Sequence, residues 1–326
     1  MKALLLSGGE GTRLRPFTLT TPKPMLPVAN VPLISRQFEL LKKHNVDEVI
    51  VSVGYKAEYF KSCVAPLAEK AGLKIHLCVE NTPLGTGGGL RNAYSLFRKA
   101  PSPFFVFNGD IISDLNLEKM LEIHKNAGAC ATIALVKVSN PSAYGLVLTD
   151  ADMKIKKFIE KPKPEEIVTD AINAGVYVFS PEIFDAIPPD RPVSLERAVF
   201  PYLLESGKKF MGYVHYGYWI DAGTVEKYKK ANFDMVKGGL LTGENTVLKE
   251  GVKTVGKAII GENCSVGRGV LLQNSVILNN SVIKDGCIVS DSVIGNEVLI
   301  GNKSEIRGAA IADKSLINSY SLITGG

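Results

Sequence analysis

The chain has 326 residues, a formal net charge of +5, 45% hydrophobic and 22% charged residues, five cysteines and four histidines. That length suits two domains, or one large domain with an appendage, and can bury a substantial core without staples. No basic stripe with interleaved aromatics marks a nucleic-acid partner, and no apolar run reaches membrane-spanning length, so neither nucleic acid nor membrane is expected as a partner. Cys63, Cys78, Cys130, Cys264 and Cys287 include no CxxC spacing, which points to free thiols in a reducing compartment. His44, His76, His124 and His215 lie far apart and suggest no metal cluster. Met1 leads directly into an apolar strand with no basic n-region or cleavage site, so a cytoplasmic location is expected.

Short apolar runs then alternate with amphipathic segments. Ala3 to Leu6 reads as a buried strand, and Ile34, Phe38 and Leu41 share a helical face. Val49 to Val53 and Ile75 to Val79 read as strands separated by a helix from Tyr55 to Lys70. A helix is predicted from Thr86 to Lys99, followed by a strand at Phe104 to Phe107. This alternation predicts an α/β fold, with a Rossmann-like, mixed and mainly parallel sheet flanked by helices. Closely spaced strands from Ala131 to Phe179 predict an antiparallel or mixed extension, and helical periodicity returns at Ser194–Glu205 and Thr224–Val236. The first domain is therefore placed at 1–237, with a glycine-bearing linker at 238–250.

From 251 to 326 the pattern changes. Val252, Ala258, Cys264, Val270, Val276, Val282, Ile288, Ile294, Ile300, Ile306 and Ala312 are spaced every six residues. Such a period predicts a left-handed parallel β-helix of hexapeptide repeats, about four coils long, with Gly261, Gly267, Gly295 and Gly301 at its corners. The end coils need cover, so a homo-oligomer (dimer or tetramer) is expected. The candidate catalytic motifs described next all precede residue 225, so loss of the tail should leave measurable activity.

The opening strand runs into Ser7-Gly8-Gly9-Glu10-Gly11-Thr12-Arg13-Leu14-Arg15. A glycine-rich loop at the carboxyl end of a first parallel strand is where open α/β sheets bind ligands, and two arginines can fork onto phosphate. Leu14 stands where a dinucleotide fingerprint would need glycine. The nearest P-loop match, Gly251 to Lys257, lacks the following hydroxyl because residue 258 is Ala258. In Pro22-Lys23-Pro24 two prolines fix one lysine in place. Asp110 and Asp221 each follow an apolar run, so each sits at a strand's carboxyl end, where two carboxylates can share one Mg²⁺. The competing reading makes both helix N-caps.

Leu5 to Leu14 with Pro22 to Pro27 resembles the signature of the sugar-1-phosphate nucleotidylyltransferases. Pro83 to Gly88, Asn108-Gly109-Asp110, Tyr144-Gly145, Phe158 to Pro162, Asn173-Ala174-Gly175 and Trp219 to Thr224 match that family in order, over roughly residues 1–236. The resemblance implies an enzyme that joins an NTP to a sugar 1-phosphate, with Mg²⁺ as cofactor. It implies that Leu6, Gly8, Gly9, Gly11, Thr12 and Arg13, with Asn108 and Gly109, bind the nucleotide, and that Glu80, Pro83, Gly85 and Thr86 line its base. It implies that Gly145, Glu160, Asn173 and Gly175 meet the sugar and Lys161 its phosphate. Arg13, Lys23, Asp110 and Asp221 would act in transfer, with Asp110 and Asp221 holding the metal.

Ser194 to Pro201 and Ile172 to Tyr177 look most like mannose-1-phosphate guanylyltransferases, which favours GTP and mannose 1-phosphate. Thymidylyl, uridylyl or adenylyl transfer to glucose 1-phosphate is the alternative, as is a non-catalytic regulatory homologue. A hexapeptide acyltransferase would need a histidine base in the repeat, and no histidine follows His215.

Overall fold

Lys2–Ser7 lies inside a nine-stranded sheet whose central strands carry unbroken runs of buried apolar residues, Ala3 to Leu5, Val49 to Val51 and Phe104 to Phe107, rather than an alternation. The strand order is Ile155–Glu160, Gly145–Thr149, Ala171–Phe179, Phe104–Asn108, Lys2–Ser7, Glu48–Val53, Lys74–Val79, with Ala131–Lys137 and Phe210–Val214 joined on beside Ala171–Phe179. Lys2–Ser7 runs parallel to both its neighbours, and Glu48–Val53 parallel to Lys74–Val79. Ala171–Phe179 turns antiparallel to Phe104–Asn108 and to Ala131–Lys137, so the expected mixed extension begins there. Parallel register brings the carboxyl ends of three strands to one edge: Ser7 lies opposite Val53, and Leu6 opposite Asn108. The computed structural model describes residues 1–97, 102–189 and 191–325. The chain divides into two compact units, Met1–Glu10 with Ile34–Trp219, and Gly11–Leu33 with Ile220–Gly326.

Within the first unit the helices depart from simple periodicity where glycine or a cap intervenes. The segment predicted as one helix from Thr86 is a glycine-rich helix, Gly85–Asn92, then a turn of helix at Tyr94–Phe97. Lys99 lies outside the described residues. Ser194–Glu205 is a single π-helical turn, Leu195–Val199, continued by the α-helix Phe200–Glu205. Ser194 caps it, accepting from Arg197 N at 3.2 Å. Among the described residues no helix is long and apolar enough to cross a membrane.

The second unit holds a parallel β-helix. Val247–Leu248, Ser265–Val266, Val282–Ile283, Leu299–Ile300 and Leu316–Ile317 stack in one five-stranded sheet, so there are five coils rather than four. Residues 238–250, expected as a linker, already contain the strands Leu240–Thr242 and Val247–Leu248, paired with the next coil.

The repeat is also not a strict six. Its inward column is Ile260, Val266, Leu272, Ile277, Ile283, Val289, Ile294, Ile300, Ile306 and Ile311, stepping six, six, five. Val282 and Ile288 of the even-spaced series are therefore only half-buried. One side of each coil is a residue short, so a fixed period of six drifts out of register within a coil.

The corner glycines serve a different purpose from the one expected. Left-handed backbone at one corner falls on Asn263, Asn280, Glu297 and Lys314. Gly261 is needed because a Cβ there would lie 2.2 Å from Asn279 Oδ1 of the next coil. That carbonyl oxygen accepts from Glu262 N at 2.9 Å, one rung of a corner ladder.

The loop Gly11–Leu33 belongs to this second unit. Pro27–Val28 pairs with Val31–Pro32 in a hairpin whose two central residues, Ala29 and Asn30, both have positive φ, as a two-residue primed turn requires. Asn30 Nδ2 donates to Ile260 O of the β-helix at 2.8 Å. Ala29 N donates to Asn232 Oδ1 at 2.8 Å, and Tyr228 Oη donates to Pro27 O, both from the helix Val225–Asp234. Thr20 Oγ1 donates to Asp313 on a distant coil.

Candidate active site

In the first unit the site residues are held by backbone more than by side chains. The strand Lys2–Ser7 ends against the turn that follows Phe104–Asn108, where Gly109 N donates to Leu6 O at 2.9 Å. A Cβ on Gly109 would lie 2.6 Å from Ser7 Oγ, so only glycine lets the two strand ends close. Gln37, buried, donates from Nε2 to Asn108 O and Ile111 O at 2.9 and 3.0 Å and fixes the turn that carries Asp110. Ser7 Oγ and Asn108 Oδ1 are buried with no hydrogen-bond partner, an arrangement suited to a polar ligand. Gly9 has open space where a Cβ would stand.

The segment expected to line the base pocket is stitched to a run that sequence reasoning gave no role. Gly87 N and Gly88 N both donate to Val193 O, and Val193 N donates to Leu84 O. Thr86 Oγ1 donates to Glu196 Oε2 at 2.7 Å and accepts from Leu195 N at 2.8 Å. Ser194 Oγ also donates to Glu196 Oε2. Glu80, expected near the base, uses both carboxylate oxygens within the protein: Oε1 accepts from Ser52 Oγ at 2.6 Å and Oε2 from Leu84 N at 3.1 Å. It anchors the loop that carries Pro83 and Gly85.

The expected sugar residues are brought together. Gly145 and Glu160 are directly opposed across two antiparallel strands. Lys161, next along, has φ +52°, a left-handed conformation rare for lysine, and its N donates to Tyr144 O at 3.1 Å. Tyr144 packs edge-on to Trp219, whose Nε1 donates to Ala174 O at 2.9 Å between Asn173 and Gly175. Asn173 spans its own turn, accepting from Gly175 N and donating to the Tyr177 hydroxyl, both at 2.9 Å. Burial first, and then the negative charge of Glu196, push the Glu160 carboxyl above the usual carboxylate range; Lys161 and Arg197 pull against them.

In the second unit the candidates are charges on short turns. Gly11 has φ +64°, and its carbonyl accepts from Thr18 Oγ1 at 2.9 Å. The turn Thr12–Leu14 leaves Thr12 and Arg13 exposed and buries Leu14. Lys23 opens another such turn, Lys23–Met25, between buried Pro22 and Pro24, so the backbone at Lys23 is fixed as expected.

Neither aspartate is a helix cap. Ile111–Ser113, after Asp110, is a strand. Asp221 ends the strand Trp219–Asp221, and Thr224 caps the following helix. Asp221 is buried, and Lys227 Nζ lies 2.7 Å from its Oδ1 and 3.0 Å from its Oδ2. Its carboxylate thus already accommodates a cation. Among the described residues no group of three or more His, Cys, Asp or Glu is placed to hold a metal by itself. An ion that draws part of its shell from phosphate and water needs fewer protein oxygens, and Asp221 fits that demand.

Sequence reasoning missed Gln37, Ser194, Glu196 and Lys227. Only the Ser194 to Pro201 run carried a signal, since it was recognisable as a motif without a role.

Residues 2–238 match the nucleotidyl transferase family model, and residues 236–325 match the GMPPB C-terminal domain. The chain is 37% identical over 286 residues to a mannose-1-phosphate guanylyltransferase of Mycobacterium tuberculosis, covering 84% of this chain and 78% of that protein. It is 37% identical over 268 residues to a mannose-1-phosphate guanylyltransferase catalytic subunit beta of Drosophila pseudoobscura pseudoobscura, covering 82% of this chain and 71% of that one. The crystal structure of HddC from Yersinia pseudotuberculosis complexed with GMP-PN is similar with a TM-score of 0.62 and 31% identity, covering 72% of this chain and 99% of that one. The chain belongs to the nucleotidyl transferase family, as a sugar-1-phosphate nucleotidylyltransferase with an appended β-helix.

Proposed function

We propose that the protein transfers a guanylyl group from GTP to mannose 1-phosphate, forming the nucleotide-sugar and releasing pyrophosphate. The observation that carries this reading is the Thr86–Glu196 bond. It joins the loop proposed to line the base to the Ser194–Pro201 run that resembles guanylyltransferases of mannose 1-phosphate. The names of the relatives support the same pair of substrates.

The substrates set the mechanism. The sugar phosphate is itself an anionic oxygen nucleophile, so it attacks the α-phosphorus in line without a protein base, and pyrophosphate leaves. Gly8, Gly9, Gly11 and Thr12 present backbone N–H groups to the triphosphate, while Arg13 and Lys23 neutralise charge that grows during transfer. Lys161 holds the sugar phosphate, and Glu160 with Gly145, Asn173 and Gly175 holds the sugar. Asp110 and Asp221 would bind Mg²⁺, which when bound withdraws charge from the phosphate oxygens. In this reading the enzyme acts in a reducing compartment, which its five free thiols suit. Leu316, Tyr320 and Leu322, exposed near the end of the last coil, suit burial in a homo-oligomer.

The test is pyrophosphate release across five NTPs and several sugar 1-phosphates. GTP with mannose 1-phosphate should give the highest kcat/KM. A preference for dTTP, UTP or ATP with glucose 1-phosphate would replace the substrate assignment, and silence with every pair would favour a regulatory, nucleotide-sugar-binding role.

A further inference from the structure

Lys227 breaks a local rule. It occupies the third position of the helix Val225–Asp234, and its N donates to the cap, Thr224 Oγ1, at 3.3 Å. The first turn of a helix carries partial positive charge and favours Glu or Gln at that position, so a lysine ammonium there opposes the helix dipole. Residues that violate local preference are held by a gain elsewhere. Here the gain is a carboxylate: Lys227 Nζ reaches both oxygens of Asp221, at 2.7 and 3.0 Å. The side chains are 31% and 12% exposed, so the pair is largely withdrawn from water and its charges are poorly screened.

We propose that Lys227 is a positioning residue that acts as a resident counter-cation for Asp221. This rests on the reading of Asp221 as a metal ligand. Without metal, the ammonium neutralises Asp221, so the site does not repel an incoming triphosphate, and it fixes the rotamer the carboxylate must keep. Asp221, if it holds a divalent cation, would have to share its carboxylate between that cation and the Lys227 ammonium. When metal and nucleotide arrive together, Lys227 gives up its share of Asp221, and its charge becomes available to the phosphates.

The experiment measures Mn²⁺ binding to the full-length, substrate-free protein by electron paramagnetic resonance. Wild type, Lys227→Gln, Lys227→Arg and Asp221→Asn are compared, with circular dichroism confirming that each is folded. Lys227→Gln keeps a hydrogen-bond donor but removes the competing charge. It should bind Mn²⁺ about tenfold more tightly than wild type. Its activity should need less Mg²⁺ for half-maximal rate while kcat falls. Lys227→Arg should restore wild-type Mn²⁺ affinity, which a purely structural lysine would not predict. Unchanged or weaker Mn²⁺ binding in Lys227→Gln, with binding lost in Asp221→Asn, overturns the counter-cation role and leaves the metal assignment standing. Wild-type Mn²⁺ binding in Asp221→Asn overturns both. If Lys227→Gln does not fold, Lys227→Arg and an Mg²⁺ titration of wild-type melting decide the matter, because a competing lysine predicts little stabilisation by Mg²⁺ without nucleotide.

Discussion

The two compact units fix their candidate residues by different physical means. In the first, Gly109, Gly85 and Gly145 admit close approaches of backbone and side chain that a Cβ would block, and hydrogen bonds to Val193, Leu6 and Tyr144 lock the loops. In the second, Arg13, Lys23, Asp221 and Lys227 are charged groups on short turns and element ends, braced indirectly by the helix Val225–Asp234 and the β-helix. A surface that reads shape must be stiff, and backbone hydrogen bonds supply stiffness. Groups that neutralise a moving charge must reach it, and side chains on turns supply reach. Substitutions in the first unit, Asp110 as a proposed metal ligand apart, should therefore appear mainly in KM and specificity, and those in the second mainly in kcat.

The largest expected effect tests the charged end of that comparison. Asp221→Asn, or Asp110→Asn, should lower kcat by about 10²-fold or more, roughly 3 kcal/mol, with the fold retained. Wild-type turnover in either variant at low Mg²⁺ would remove the metal role. Next comes deletion of residues 240–326. The motifs proposed to act in transfer all precede residue 225, which by itself predicts activity without the tail. However, the loop bearing Arg13 and Lys23 shares a compact unit with the β-helix, and Asn30 and Thr20 would lose Ile260 O and Asp313. Measurable activity should remain, with kcat lowered by roughly tenfold, about 1.4 kcal/mol, and KM for sugar 1-phosphate little changed. A truncated protein with full kcat would show that the bracing is incidental. Light scattering on the same pair tests the oligomer, whose loss should accompany the tail's.

Much of this arrangement was legible because its signals are local. The parallel half of the sheet followed from apolar runs such as Leu4 to Leu6 and Val49 to Val51, and the fixed Lys23 from its flanking prolines. The β-helix was legible as a repeat but not in register, because a five-residue side every third step breaks a fixed period of six. What escaped was long-range. Gln37 holds the turn after Asn108 across 71 residues of sequence, and Thr86 meets Glu196 across 110. No spacing within the chain encodes such pairings. The assignment of Gly11–Leu33 to the β-helix unit was hidden for the same reason: its anchors, Asn232 and Ile260, lie more than 200 residues away.

An effect of similar size separates the two lysines, one from each unit. Lys161→Ala should raise KM for the sugar 1-phosphate about tenfold with modest change in kcat. Lys23→Ala should depress kcat by a similar factor with little change in that KM. Steady-state kinetics with each substrate varied in turn would show it. Identical defects would mean that the contrast between a reading unit and a neutralising unit is false.

The smallest effect concerns Glu160, the one acid assigned to the sugar. Its carboxyl is held above the usual range first by burial and next by Glu196. The folded protein therefore binds this proton more tightly than the unfolded chain does. The resulting stability is complete at pH below the unfolded-state value and is lost as pH rises through the folded-state value. Glu160→Gln carries no such proton, so the variant should gain on wild type as pH climbs out of the acid range. Thermal melts should show the difference in Tm, variant minus wild type, growing in the variant's favour by on the order of 1 °C between acid and neutral pH. The same substitution should raise KM for the sugar 1-phosphate, because a glutamine puts a donating NH₂ where the carboxylate has a second accepting oxygen, and it carries no charge. Stability gained together with affinity lost is the signature of a group kept for binding at the expense of the fold. A difference in Tm that is flat with pH, or that runs the other way, would mean that neighbouring cations, Lys161 and Arg197, outweigh burial. Glu160 would then belong with the charged residues of the second unit rather than with the rigid surface around it.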